Sequence, residues 1–244
     1  MPASFLSLPA ELRNEIYKYL LVSGDPIIPW SKRHELASNL LSTNTMILHE
    51  ASSLLYGNNC FDLSSSSPIL ICDFLATIGL VNASHLNCIR ISFPEFHDVG
   101  EEVSLEEESL RALTKIQEYC TDLKRITATA PSTYWMGIQL SVDSPSICER
   151  ALDVVDAHFR AITSLQEIVM EVYDKGLESS LIGKMKSYGW TLRTVEIVEE
   201  EKWDNDRTWD EIEDDHYLYN DNDDDNDDDY DIDNDSDFWR RAAD

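Results

Sequence analysis

The sequence predicts an α/β protein with two N-terminal helices, a body of helix–strand units forming a parallel sheet, and a polyanionic tail. Three observations carry this reading. Four segments share the pattern Leu-x-x-(Ile/Val)-x-apolar, and each follows a stretch of helical periodicity. Two amphipathic stretches stand ahead of the first of these units. From Glu199 onward 22 acidic side chains meet only four basic ones, whereas the whole chain of 244 residues holds 47 acids and 19 bases. Regular alternation of helix and strand is the pattern of parallel sheets with helices packed beside them.

Leu8-Pro9 opens the first helix, with Pro9 in the first turn, where its missing N–H costs nothing. Leu8, Leu12, Ile16, Tyr19 and Leu20 recur at helical spacing, with Glu11, Arg13, Glu15 and Lys18 between them. Ser23-Gly24-Asp25-Pro26 stops this helix. A second helical region spans about 36–56, with Leu40, Leu41, Ile47, Leu48, Ala51, Leu54 and Leu55 as its apolar positions. Gly57-Asn58 terminates it. Cys60-Phe61-Asp62-Leu63 alternates like a short strand, and Ser64 to Ser67 forms a link.

The repeated units are Leu86-x-x-Ile89-x-Ile91, Leu123-x-x-Ile126-x-Ala128, Leu165-x-x-Ile168-x-Met170 and Leu192-x-x-Val195-x-Ile197. Helices are expected before them over about 68–80, 105–120, 146–163 and 177–188. With the apolar positions turned inward, the alternate positions form an outward face. That face holds Arg90, Ser92, Arg125, Thr127, Thr129, Glu167, Val169, Glu171, Glu196 and Val198. Such a stripe is the natural partner surface of a repeat arc, and its other reading is a solvated face. The connection at Tyr134-Trp135-Met136 is richer in anchor-type residues than a plain loop needs, although a Trp between repeats also serves as core. The unit looks like a degenerate leucine-rich repeat. Its spacings of 37, 42 and 27 residues are irregular, against a usual period of about 20–29. An open α/β sheet without regular curvature is the neighbouring reading.

The N-terminal segments, Phe5-Leu6-Ser7-Leu8-Pro9-Ala10-Glu11-Leu12-Arg13 and Glu50-Ala51-x-x-Leu54-Leu55-Tyr56-Gly57-x-Asn59-x-Phe61, resemble the fungal F-box-like family. The resemblance covers about residues 5 to 63. It implies a helical F-box-like module over 1–63, ahead of a leucine-rich-repeat-like body over 64–199 and a tail over 200–244. It also implies that Leu8, Pro9, Leu12, Ile16 and Leu20 face a Skp-type adaptor of an SCF-like ubiquitin ligase. The strand face, with Arg90, Arg125, Thr127, Val169, Glu196, Tyr134 and Trp135, would then hold a protein target. On this reading the chain is a non-catalytic adaptor that contributes proximity. The same apolar helices also suit a plain cap on the open end of an arc, in which case the acidic tail becomes the binding element for basic proteins.

Composition narrows the choice. A net charge of −28 opposes nucleic acid and anionic membranes, which are themselves negative. The tail, nearly all Asp and Asn from Asp221 to Asp237, cannot bury enough apolar area to fold and is expected to be disordered. It is rich enough in charge to fold back onto Arg90, Lys124, Arg125 and Arg193. The five cysteines lack Cys-x-x-Cys spacing and suit reduced, mostly buried thiols in a cytoplasmic or nuclear protein. No metal or cofactor is expected. The histidines are scattered, Asp231-x-Asp233-x-Asp235 lacks the Gly and Glu of a calcium loop, and no nucleophile or phosphate-binding motif occurs. Phe96-His97-Asp98, after the first repeat strand, reads as a polar loop. An enzyme is not expected.

Overall fold

The computed structural model describes residues 4–31, 36–65, 67–99, 103–141, 145–174 and 177–196. The expected disorder of 200–244, the loose calcium-like motif and Val198 lie outside the described residues. Seven helices and seven strands make a mixed α/β fold among the described residues. The helices are α1 (Ala10–Leu21), α2 (Thr45–Asn58), α3 (Pro68–Ser84), α4 (Glu107–Tyr119), α5 (Ala130–Ser141), α6 (Pro145–Ala161) and α7 (Ser179–Ser187). The strands are β1 (Cys60–Asp62), β2 (Cys88–Ile91), β3 (Phe96–Asp98), β4 (Ser104–Leu105), β5 (Arg125–Ala128), β6 (Glu167–Tyr173) and β7 (Thr191–Val195). No helix of the described residues is long and apolar enough to cross a membrane.

Five strands form one parallel sheet in the order β1-β2-β5-β6-β7. Each new strand is laid beside its predecessor, and every crossover runs through a helix, as parallel neighbours require. Register aligns the apolar positions into rows. Ile89, Ile126 and Ile168 stand side by side, as do Ile91, Ala128, Met170 and Leu192. Nearly all of these side chains are buried in the core with Phe74, Leu113, Val155 and Met185 from the helices. Each fully buried aliphatic side chain stabilises by roughly 1.5–3 kcal/mol.

Local sequence explains the helix ends. Asn44 caps α2, its side chain accepting from the Met46 N–H at 2.8 Å. Pro68 opens α3 behind Ser67, and Glu107 and Glu108 sit in the first turn of α4, where the helix dipole favours them. The end of α7 is a Schellman motif. Gly189 takes φ 80°, its N–H reaches the Lys186 carbonyl at 2.9 Å, and the Trp190 N–H reaches Met185 at 3.1 Å. Only glycine adopts this φ at little cost.

That motif corrects the fourth repeat. The strand begins at Thr191, directly after the cap, so it lies earlier than the sequence pattern placed it. Register pairs Met170 with Leu192 and Tyr173 with Val195. Leu192 therefore lies on the core side and Val195 on the opposite one, because a shift of odd length exchanges the faces of a strand. Trp190 takes the anchoring place instead, buried with its ring 5.9 Å from Phe159.

Two further expectations are corrected. Tyr134-Trp135-Met136 is part of helix α5 and not a connection. Its sequence carries no charge and contains Pro, Ser, Thr and Gly, which hid the helix. Burial of Met136 and Leu140 fixes it, and the Thr133 N–H bonds to the Thr129 carbonyl at 3.0 Å. Phe96-His97-Asp98 is β3, paired antiparallel with β4.

The N-terminal helices and the sheet share one core. Ile27 forms a parallel bridge with Phe61, and Phe61 stacks between Tyr56 at 5.6 Å and Phe74 at 5.7 Å. The expectation of reduced thiols is also corrected, since Cys60 and Cys88 are joined as a disulfide. They are 28 residues apart, and only the register of β1 on β2 brings them opposite each other. Cys72, Cys120 and Cys148 stand outside this bond. Thiol titration of protein unfolded without reductant should therefore count three groups, against five after reduction. Five in both conditions would remove the bond.

Candidate functional site

Helix α1 presents its residues in an inverted order. Its buried face is Arg13, Tyr17 and Leu21, at spacings of four, although Arg13 is charged and only 6% exposed. The outward stripe is Leu12, Ile16 and Tyr19, which are 53%, 37% and 86% exposed. Residues at i, i+4 and i+7 share one helix face. Leu6 is exposed just before it, Pro9 is exposed at its start, and Leu8 and Leu20 are half-buried.

A polar clamp underneath causes this inversion. Arg13 donates from Nε to Glu50 Oε2 at 2.9 Å, and from Nη2 to Glu50 Oε1. The Tyr17 hydroxyl donates to Glu50 Oε2 at 3.1 Å. Arg13 Nη1 also donates to the Leu8 carbonyl at 2.5 Å, which fixes the Leu8-Pro9 turn. A bidentate Arg–carboxylate pair sets direction as well as distance. Hydrogen bonding from Arg13 holds the Glu50 carboxyl below its usual range, and the same bond raises the Arg13 guanidinium. Burial, then the bond to Glu50, raises the Tyr17 hydroxyl.

Asn59 completes the module. Its buried side-chain amide donates to the Leu21 and Leu55 carbonyls, each at 2.7 Å, and its Oδ1 accepts from the Ser23 N–H at 2.7 Å. One side chain thus satisfies carbonyls at the ends of both α1 and α2. The sequence reading set Arg13 among the charged residues between the apolar ones, and it quoted Glu50 and Asn59 within a motif without giving either a role of its own. The available signal was the Arg13, Tyr17, Leu21 spacing on a single face.

The strand face is less open than the alternation implied. Arg90, Thr127 and Val169 stand in one register row across β2, β5 and β6. Arg90 reaches across β5, bonding Glu171 at 2.9 and 3.0 Å and Asp62 at 2.9 Å. Thr127 and Val169 are 4% and 0% exposed. Arg125 pairs with Glu167 at 2.6 Å, and Arg193 lies 4.0 Å from Glu171. Carboxylates of the sheet itself thus stand beside the cations Arg90, Arg125 and Arg193. Glu196 is exposed one residue beyond β7, on the opposite parity to Val195.

Tyr134 and Trp135 are exposed on α5, at the carboxyl ends of β2 and β5. A crevice of about 760 Å³ opens there between α5 and the segment after β2. Trp135 lines it, 67% exposed. The structure thus brings Arg90 and Trp135 to one crevice and keeps Leu12 and Ile16 on a separate surface.

Comparison of the chain with protein families, with curated proteins and with solved structures finds no match.

The clamp carries a pH signature. Because the folded Glu50 carboxyl is depressed, its stabilisation is present above the ordinary carboxyl value, about 4.3. It is lost as pH falls through the lowered folded value. Glu50→Gln should melt several degrees below wild type at pH 7, and the gap should close as pH falls below the ordinary carboxyl range and through the lowered folded value. Thermal melts across that range check this, and a gap constant with pH would remove the ion pair from the account.

Proposed function

We propose that this chain is a non-catalytic adaptor of the F-box type, with residues 5–21 docking a Skp-type adaptor and the sheet body carrying a protein target. The outward apolar stripe of α1 carries this reading. A helix that merely capped the core would turn Leu12 and Ile16 inward and leave Arg13 in water. Here the charged residue is held inside by a bidentate carboxylate, and the apolar residues face solvent on the same helix. An exposed apolar stripe rimmed by charge, such as Glu11, Glu15 and Lys18, suits a partner better than water.

The body supports the second half of the reading. Parallel strands laid down in chain order, with helices in the crossovers, resemble a short leucine-rich-repeat arc. Such a frame holds a target at fixed distance from the docking helix, and the transfer chemistry belongs to other subunits.

Co-purification of the full chain with a Skp-type adaptor tests this. Wild type should form a one-to-one complex. Leu12→Asp/Ile16→Asp should bind roughly 100-fold or more weakly while keeping its circular dichroism, because central apolar anchors dominate such interfaces. No complex with wild type, or equal binding by the variant, would overturn the reading.

A further inference from the structure

We propose that the crevice at the carboxyl ends of β2 and β5 binds an extended basic peptide, with a Lys or Arg held between the Trp135 indole and the Glu95 carboxylate. This site is separate from the α1 surface, and it stands whether or not an adaptor docks there.

The floor of the crevice is already satisfied. The Ser92 hydroxyl donates to the Ser64 carbonyl at 2.8 Å, and Ser132 Oγ accepts the Phe93 N–H at 2.8 Å while donating to the Thr129 carbonyl at 2.7 Å. Phe93 and Met136 are buried beneath it. Recognition therefore falls to the rim, where Trp135, Ile138 and Glu95 are exposed.

Charge selects the occupant. Arg90, the cation at the crevice, is neutralised by both Asp62 and Glu171, so it does not repel a basic ligand. Glu95 and Glu108 form no ion pair among the described residues. An adjoining pocket of about 320 Å³ shares Glu95, Phe93 and Pro94 with the crevice and extends it to Glu108 at the start of α4. The amino end of α4 carries about half a positive charge, which the carboxylates of Glu107 and Glu108 outweigh. A cation over an exposed indole gains from the ring quadrupole, and apolar Ile138 and Pro131 suit the stem or neighbour of that residue. The result is a trough with the Trp135 indole on the α5 side and the Glu95 and Glu108 carboxylates toward the start of α4. The chain's own acidic tail is of the wrong sign to occupy it.

The test is fluorescence anisotropy with the full chain and a labelled peptide, Ala-Arg-Leu-Arg-Leu-Arg-Ala, at about 0.15 M salt, where exposed charges are screened beyond about 8 Å. Wild type should bind this peptide and not its counterpart with Glu in place of Arg. Trp135→Ala and Glu95→Gln should each weaken binding about fivefold or more, with circular dichroism unchanged. Equal affinity in both variants would assign the binding to the acidic tail, and no binding by wild type would remove the site. Either result overturns the proposal.

Discussion

The Arg13–Glu50 pair decides how the N-terminal third of this protein meets solvent. Glu50 projects from α2 and takes both nitrogens of the Arg13 fork, with Tyr17 on the same carboxylate. A charge taken out of water must be paired and hydrogen-bonded, so the face of α1 bearing Arg13 is the one that must pack. The opposite face then follows from helical geometry alone, and it carries Leu12, Ile16 and Tyr19. Arg13 also anchors the Leu8 carbonyl, and Asn59 ties the far ends of both helices together. These bonds hold the stripe in one orientation, which preorganises it.

The sheet extends the same frame. Strand β1 follows α2 almost at once and receives β2, after which β5, β6 and β7 add on one side in chain order. The helical module is thus built into the first edge of the sheet, with Phe61 packed between Tyr56 of α2 and Phe74 of α3. A surface on α1 and a crevice at the strand ends are held at fixed separation by one continuous core. Fixed geometry is what the proposed adaptor role requires.

Much of this was legible in the residues. The apolar positions of Leu86 to Ile91, Leu123 to Ala128 and Leu165 to Met170 located three strands, and helical periodicity located the crossovers between them. The fourth strand was misplaced because Gly189 ends α7 in a motif that starts β7 earlier, and an odd shift exchanges faces. Helix α5 was hidden by a sequence with poor propensity and no charge, which tertiary packing of Met136 and Leu140 overrides. The disulfide and the reach of Arg90 over β5 depend on register, which local patterns do not specify. At the candidate site the apolar residues of α1 were visible as a stripe. Their direction was implied by the resemblance alone, since periodicity shows that residues share a face without showing which face is buried. Arg13, a charged residue that packs inward, supplies that missing sign.

Hydroxyl-radical footprinting of the free full-length chain, read by mass spectrometry at single residues, tests the central claim most directly. Tyr17 and Tyr19 are two residues apart on α1 and chemically identical, so their relative rates report orientation alone. The account predicts fast modification of Tyr19, Leu12 and Ile16, with Tyr17 and Leu21 protected. Glu50→Gln should raise the Tyr17 rate. Equal rates at Tyr17 and Tyr19 in wild type, or protection of Leu12 and Ile16, would contradict it.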